Sequence, residues 1–528
     1  MVGLLRRAVW ELEQERAEKV ELRAVVLQQQ REIEQLKDEI RRLKKLPRRP
    51  PVKPSGMEKA TPSPSEAPTN EAPTPPRRRG PGVSKLKIDC ETTLTTSAPE
   101  GSRRKGYEDI VVQDVQFGPR TTRYRRERWE TPDGRMIVAE LPPGVIGGCG
   151  PHLHRLVLLL HFQGQMTCER IVTLLNASGV SISKRQIVRL LTARLETFQA
   201  EDNAVFEAGL RGSAYITVDD TGARHARKAC FTTQFGSPRF TAFRTGPSKS
   251  RLAFLRNLMC GTARYAINAA AVAYMRAANL AHGIIDALQG AEQLDFTSAA
   301  EWRAHLCALG LTEMRVQPDP VRVASEAALW GAVQAEGLLA GAVIVSDDAG
   351  QFRVGEHALC WVHAERLVHK LLPANERQRN AVEVTRRMIW WLYGRLKGYK
   401  LAPALEEAIS LAALFDRIFR RKTGYATLDN LLKRLRGRRQ DLLRVLERPE
   451  IPLNTNASEN DIRCVVTKRK ISGGTISEKG RNARDVMLGL AKTCAKLGLS
   501  YFDYIGDRLG LPGPKIPPLA SLVNPAPS

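Results

Sequence analysis

The chain is 528 residues long and 43% apolar, enough to bury cores in several domains without disulfide or metal staples. Its 81 Lys and Arg against 56 Asp and Glu leave a formal charge of +25. That excludes a wholly disordered tail protein and points to a globular protein that meets a polyanion, nucleic acid ahead of a membrane surface. The nine cysteines are scattered and make no C-x-x-C pair, which argues against a disulfide framework or a four-cysteine zinc site and for a reducing, cytoplasmic setting. Charged residues in the first turns predict no signal peptide. The longest apolar runs, Leu156 to Leu160 and the Ala-rich stretch interrupted by Arg276, fall short of the roughly 20 residues of a membrane helix.

Residues 1–46 read as one helix with heptad spacing. Leu5, Leu12, Lys19, Val26, Ile33 and Ile40 fall in one register, and Ala8, Glu15, Leu22, Gln29, Leu36 and Leu43 in the other. A coiled coil that pairs subunits fits this pattern, and a helix folded back on its own chain is the alternative. Pro47 stops it. Residues 47–106 are rich in Pro, Ser, Thr and Ala, which predicts a disordered linker whose Arg77, Arg78 and Arg79 are placed to touch phosphates. Residues 107–150 alternate like short strands (EDIVVQDVQF, RMIVAELP) and predict a small β-rich module.

Within residues 151–200 the pattern changes to two short helices about a glycine turn. Thr167 can cap a helix carrying Ile171, Leu174 and Leu175, Gly179 supplies the turn, and Ser183 can cap a second helix carrying Ile187, Val188, Leu190 and Leu191. Lys184, Arg185, Gln186 and Arg189 lie at or near the end that a helix-turn-helix inserts into the major groove. An ordinary helical hairpin would look similar.

Three acidic islands follow. The run AYITVDDTG predicts a strand from Tyr215 to Val218 with Asp219 and Asp220 at its C-terminal end. KACFTTQF and RFTAFRTG continue it as an antiparallel meander. After a mostly helical stretch, GAVIVSDDAG is a second buried strand ending in Asp347 and Asp348. A short strand from His357 to Trp361 leads into the helix VHAERLVHKLL, and residues 371–450 read as a basic helical insertion. The third island, PLNTNASENDIRCVVTKRK, puts Glu459 on the first turn of a helix. Singly, each has a bland reading: acids after strands make polar turns, and Asn456 to Glu459 has capping-box spacing. Together, three carboxylates gathered at one sheet rim of a basic protein repel one another unless cations lie between them, and oxygen ligands suit Mg²⁺ or Mn²⁺. Two such ions about 3.5–4 Å apart can drive an in-line phosphodiester displacement.

The order strand-Asp, meander, strand-Asp, helical insertion, helix-Glu resembles the ribonuclease-H-like core of DDE transposases, an α/β mixed sheet flanked by helices. The stretches VDDTGARH, VSDDAGQF, ALCWVHAERLVHKL, PLNTNASENDIRCVVTKRKISGG and GRNARDVMLGLAKTCAKLGLSYFDYIGDRLG resemble the insertion-sequence 66-type bacterial transposases, as does a coiled coil followed by a helix-turn-helix. On this resemblance residues 210–370 form the first part of the core, residues 451–510 the catalytic helix and C-terminal helices, and residues 511–528 a tail. It implies Asp219, Asp347 and Glu459 as catalytic metal ligands, with Asp220 and Asp348 as alternates and two Mg²⁺ or Mn²⁺ ions as cofactors. Cys360 and His363 form a C-x-x-H, half a zinc site, expected to brace the structure.

Family members carry paired C-x-x-C knuckles before the helix-turn-helix. Here only Cys149, His152 and His154 lie near that place, so zinc is not expected. Arg463, Lys468, Arg469, Lys470 and Arg481 follow Glu459 as phosphate contacts or as a solvated charged surface. The implied activity is metal-dependent cleavage of mobile-element ends and strand transfer. A transposase-derived DNA-binding regulator without catalysis and another ribonuclease-H-like nuclease are the alternatives. The implied partners are terminal-repeat and target DNA, a second copy of the chain and accessory proteins of the same element, at the nucleoid. Residues 351–500 hold 30 Lys and Arg against 15 Asp and Glu, whereas residues 251–350 hold 7 against 10. The positive charge therefore concentrates around the insertion and the Glu459 helix.

Overall fold

The computed structural model describes residues 88, 91–94, 118–260 and 264–524. The heptad segment, most of the Pro-rich stretch and the EDIVVQDVQF run lie outside the described residues. The RMIVAELP segment supplies the second strand of a hairpin, β1 (Arg128–Glu130) with β2 (Met136–Val138). Trp129, Met136 and Ile137 stay exposed.

Helix α1 (Pro151–Leu158) runs into a π-helical turn, Leu159–Gln163. Gln165, with φ 59°, follows in the left-handed region. Two capped helices come next. The Thr167 side chain accepts from the Arg170 N–H ahead of α2 (Cys168–Ala177), and Ser183 with Gln186 makes a complete capping box at α3 (Lys184–Thr192). Each cap takes up an N–H that the helix itself leaves unpaired. The turn between them needs Gly179, whose φ is 84°. Ile171, Leu175, Ile187, Leu190 and Leu191 are buried, but Leu174 and Val188, which looked like core positions, face outward at 41% and 45% exposure.

Helix α4 (Leu195–Gly212) leads into the sheet. Strands β3 (Tyr215–His225), β4 (Lys228–Gly236) and β5 (Thr241–Gly246) form the antiparallel meander. Beyond it come α5 (Arg251–Leu258), β6 (Tyr265–Ala266), α6 (Ala269–Ala277), α7 (His282–Gln289), β7 (Asp295–Phe296), α8 (Ala299–Ala308) and α9 (Pro320–Ala335), with β6 and β7 paired. Strands β8 (Val343–Ser346) and β9 (His357–Leu359) then add in parallel, giving one mixed five-stranded sheet in the order β5-β4-β3-β8-β9. The first strand is longer than its apolar run. Only Tyr215 to Thr217 pair with β8, while Asp219 and Asp220 continue the ladder with β4 opposite Gln234 and Thr233. The acids are therefore internal to β3, not beyond its end. They still lie where the parallel neighbour has stopped, which keeps them at a rim. Cross-strand hydrogen bonding, not hydrophobicity, carries β3 through the polar TGARH segment.

Helix α10 (Trp361–His369) precedes the stretch read as an insertion, which is helical: α11 (Glu376–Leu401), α12 (Leu405–Phe419), α13 (Ala426–Arg436) and the short α14 (Arg439–Leu442). The chain returns to the sheet through α15 (Asn456–Ser472) and α16 (Glu478–Lys496), then ends in α17 (Tyr501–Arg508) and α18 (Leu519–Val523). Helix α15 lies against β3 and β4, and α16 against β5. Ser458, Asp461, Ile462, Val465 and Lys468 form the buried stripe of α15 at helical spacing. Asp461 anchors that stripe, since it accepts from Thr241 Oγ1 at 2.7 Å and from Lys496 Nζ at 2.6 Å. Removing one partner of such a buried pair costs roughly 3–5 kcal/mol. Helix α16 comes close to β5 at Gly489, where an added Cβ would meet the Thr241 carbonyl oxygen at 3.1 Å.

Candidate active site

Asp219 is carried by β3, Asp347 follows β8 directly, and Glu459 sits on the first turn of α15. Burial pushes Asp219 up to about 6, and the charges of Asp347 and Glu459 add to the rise, while the Asp220 backbone N–H and His363 oppose it. One oxygen of Asp219 accepts from the Asp220 N–H at 2.8 Å, and one oxygen of Asp347 accepts from the Ala349 N–H at 3.0 Å. The second oxygen of each makes no hydrogen bond among the described residues. The main chain at Asp347 is fixed as well, because Ser346 Oγ donates to its carbonyl at 2.6 Å and lies 2.8 Å from His357 Nε2.

Glu459 is positioned from α10. His363 Nε2 lies 3.6 Å from its Oε1, and an Arg366 guanidinium nitrogen 3.7 Å from the same atom. The N-cap of α15 is Thr455, with no side-chain cap. The capping-box alternative for Asn456 to Glu459 therefore does not form, and the Glu459 carboxylate is left to the cluster. The start of α10 is tied to the start of α15 by the Trp361 N–H on the Leu453 carbonyl at 2.9 Å. Buried Cys360 lies against His363. Burial alone would raise the Cys360 thiol, but His363, and after it Thr455, draw it below the ordinary thiol value. Burial opposes protonation of His363, yet Cys360 lifts it above the ordinary imidazole value.

The alternates are engaged elsewhere. Asp220 accepts from Thr233 Oγ1 at 2.6 Å and from Gln351 Nε2 at 2.8 Å, one bond on each oxygen. Burial raises its carboxyl, and these two bonds resist the rise. Asp348 pairs with Arg353 at 3.0 Å and with Arg438, next to the insertion's α14, at 3.3 Å.

Among the described residues no three His, Cys, Asp or Glu side chains converge tightly enough to hold an ion. Asp219 feels the charges of Asp347 and Glu459, but the three do not meet at a point. Their donor chemistry nonetheless fits a hard divalent cation. All three offer carboxylate oxygens, two have an oxygen to spare, and a cation between them would relieve the repulsion that helps raise Asp219. Cys149, His152 and His154 show no such fit: burial holds the His154 imidazole below its ordinary value, and its Nε2 is spent on the Leu190 carbonyl at 2.8 Å.

The basic residues divide. Arg185, Arg189, Arg463 and Lys470 are exposed. Lys184 is exposed but pairs with Glu169 at 2.7 Å. The Gln186 side chain is taken up by the capping box, where its Oε1 accepts from the Ser183 N–H at 2.9 Å. Arg469 donates to the Gly222 carbonyl on β3, and Arg481 pairs with Glu478 at 3.0 Å. Lys468 departs from its expected role as a phosphate contact. It is 4% exposed, and its ammonium donates to the carbonyls of His161 and Met166 at 2.7 and 3.0 Å. A phosphate would have to displace those bonds inside the fold.

Two site residues escaped the sequence reading. Arg366 is one helical turn beyond His363, a spacing that could have marked it as a second basic residue facing Glu459. Gln351 is four residues beyond Asp347 with no local signal, and only the tertiary fold brings it to Asp220.

A mixed five-stranded sheet flanked by helices, with acids on its first strand, at the end of the adjoining parallel strand and on a returning helix, fits a DDE transposase core. Residues 328–483, which include Asp347 and Glu459, match the family described as "Transposase IS66 family". The chain is also similar to an uncharacterized protein, y4jO, of Sinorhizobium fredii (strain NGR234), with 52% identity over 319 residues, 60% of this chain and 99% of the relative. The chain belongs to the IS66 transposase family. Among the described residues no helix is long and apolar enough to cross a membrane.

Proposed function

We propose that the chain is an active DDE transposase that cuts the ends of its mobile element and joins them to target DNA at one site built from Asp219, Asp347 and Glu459. The observation that carries this reading is the placement of these carboxylates on β3, directly after β8 and on the first turn of α15, which packs on β3. Asp219, Asp347 and Glu459 would hold two Mg²⁺ or Mn²⁺ ions, which when bound supply activation of the attacking oxygen and neutralisation of charge at the scissile phosphodiester. His363 and Arg366 orient Glu459, while Asp220 and Asp348 serve packing and ion pairing. Arg463, Arg469, Lys470 and Arg481 grip phosphates beside the scissile bond, where guanidinium groups offer paired hydrogen bonds.

Element ends are read by α2 and α3, with Arg185 and Arg189 leading and Lys184 joining once it leaves Glu169. The N-terminal heptads pair two copies so that both ends are held at once. Such a protein works at the nucleoid in the cytoplasm, with accessory proteins of its element. The intact set of three acids favours catalysis over a regulator without activity.

The test is incubation of the purified chain with labelled element ends and Mn²⁺. Cleavage at the element boundary that is lost in Asp219→Ala, Asp347→Ala and Glu459→Ala supports the reading. Tight binding without cleavage under any divalent cation overturns it.

A further inference from the structure

We propose that Lys468 is a positioning residue that ties the α2–α3 helix pair to the helix carrying Glu459, so that the two move as one body. The role given to Glu459 rests on the transposase reading above; the tie itself does not. Lys468 and Glu459 share α15, nine residues apart. At 3.6 residues per turn and 1.5 Å per residue they project from opposite sides of one rod, about 13 Å apart along it. Glu459 faces α10. Lys468 faces the other way, into the segment between α1 and α2.

That segment is built to receive it. The π-helical turn Leu159–Gln163 ends at Gly164 and the left-handed Gln165. The last carbonyls of a helix lack intrahelical partners, and here the Lys468 ammonium takes that of His161 in the π-helical turn, together with the Met166 carbonyl in the loop beyond it. Among the described residues no carboxylate pairs with it. The nearest side-chain nitrogen is His161 Nδ1 at 3.3 Å, and burial together with the Lys468 charge holds that imidazole down at about 3, so it stays neutral. An unpaired buried ammonium is a poor way to gain stability, and an apolar side chain of like size would pack more cheaply. What the ammonium gives instead is direction, because two carbonyls about 300 residues away in sequence fix where α15 lies.

The helix pair and α15 also share an apolar core that includes Ile187, Leu190, Ile462 and Val465, but apolar packing is non-directional, whereas the Lys468 bonds set an orientation. A cavity of about 470 Å³ lies between the two parts, lined by Lys468, Phe162, Lys184, Val188, Ile471 and Ile476 among others. Without the tie, only the apolar packing would hold α15 against the helix pair. With it, a displacement of α2 or α3 on DNA reaches Glu459 through a single helix.

The experiment uses the full chain and the variants Lys468→Met, which keeps bulk without donors, and Lys468→Arg, whose larger guanidinium has the cavity to occupy and restores donors and charge. In the free protein, hydrogen exchange of peptides covering 160–167 and 456–470 should accelerate tenfold or more at both places in Lys468→Met and return towards wild type in Lys468→Arg. Unchanged exchange at 456–470 overturns the tie. In a thermal titration with Mn²⁺ alone, half-saturation should need at least fivefold more ion in Lys468→Met and recover in Lys468→Arg. Equal half-saturation in a folded Lys468→Met overturns the link to Glu459. A wild-type chain that ignores Mn²⁺ while exchange behaves as expected refutes the metal reading of the carboxylates and leaves the tie standing. If Lys468→Met fails to fold, Lys468→Gln, too short to span both carbonyls, is judged by the same two readouts.

Discussion

Replacing Asp219 with asparagine removes one negative charge from the acidic cluster while keeping the side chain's shape and its capacity to accept from the Asp220 N–H. The folded chain holds this carboxyl at about 6 against an ordinary 3.8, through burial and then the charges of Asp347 and Glu459. A rise of about two pH units corresponds to roughly 3 kcal/mol against the ionised form. Because the folded value is raised, Asp219 costs no stability below about pH 4. The cost grows as pH climbs through 6 and is complete at neutral pH. Asp219→Asn should therefore melt higher than wild type at pH 7.5 in chelator, by about 3–6 °C for a chain of this size. The gap should close at pH 4. Excess Mn²⁺ should reverse the order, since only the wild type keeps all three ligands. Differential scanning calorimetry at the two pH values, with chelator or Mn²⁺, reads all of this. A variant that melts lower than wild type in chelator at pH 7.5, or a difference that ignores pH, would refute the claim that burial and acidic neighbours raise the Asp219 carboxyl.

Three further outcomes follow from the same geometry. Asp220→Asn keeps the acceptor for Thr233 and should cleave element ends within about threefold of wild type, whereas Asp219→Asn should fall by three orders of magnitude or more; equal losses would move the ligand to Asp220. Arg366→Ala takes the guanidinium away from Glu459 and should lower cleavage 10–100-fold at limiting Mn²⁺, the usual range for residues that orient a metal ligand, with recovery at high Mn²⁺; a loss that Mn²⁺ leaves untouched would argue for a different role. Arg185→Ala and Arg189→Ala should each weaken binding to element-end duplex and reduce the slope of log affinity against log salt by about one phosphate contact, with near-normal cleavage at saturating DNA; unchanged binding would remove α3 from the DNA interface.

The sheet and the acid pairs were legible because buried strands announce themselves as apolar runs, and the acids interrupt those runs at fixed places. The length of β3 was not legible. Its polar second half is strand only because β4 pairs with it, a fact of tertiary structure. The helix caps at Thr167 and Ser183 were readable from residue type and spacing alone, since a cap is a local hydrogen bond. The same logic misleads at Asn456 to Glu459, where the helix starts after Thr455 and leaves the glutamate free for the cluster. Nor could local sequence separate the two members of each acid pair. Asp220 differs from Asp219 through Thr233 and Gln351, and Asp348 from Asp347 through Arg353 and Arg438.

Lys468 shows the limit most clearly. In TKRK it looks like one more cation of a solvated run, and nothing nearby says that its position on α15 points it inward to carbonyls far back in the chain. Charge runs report composition, whereas burial is decided residue by residue by the helix phase and by what packs against it.

The most direct test of the central claim, that Asp219, Asp347 and Glu459 make one metal-holding centre, is anomalous diffraction from crystals of the full chain grown with Mn²⁺. The account predicts Mn²⁺ peaks within carboxylate bonding distance of all three residues, and no peak at Cys149, His152 and His154. Mn²⁺ bound elsewhere, or held by Asp220 and Asp348 with Asp219 and Asp347 turned away, would contradict it.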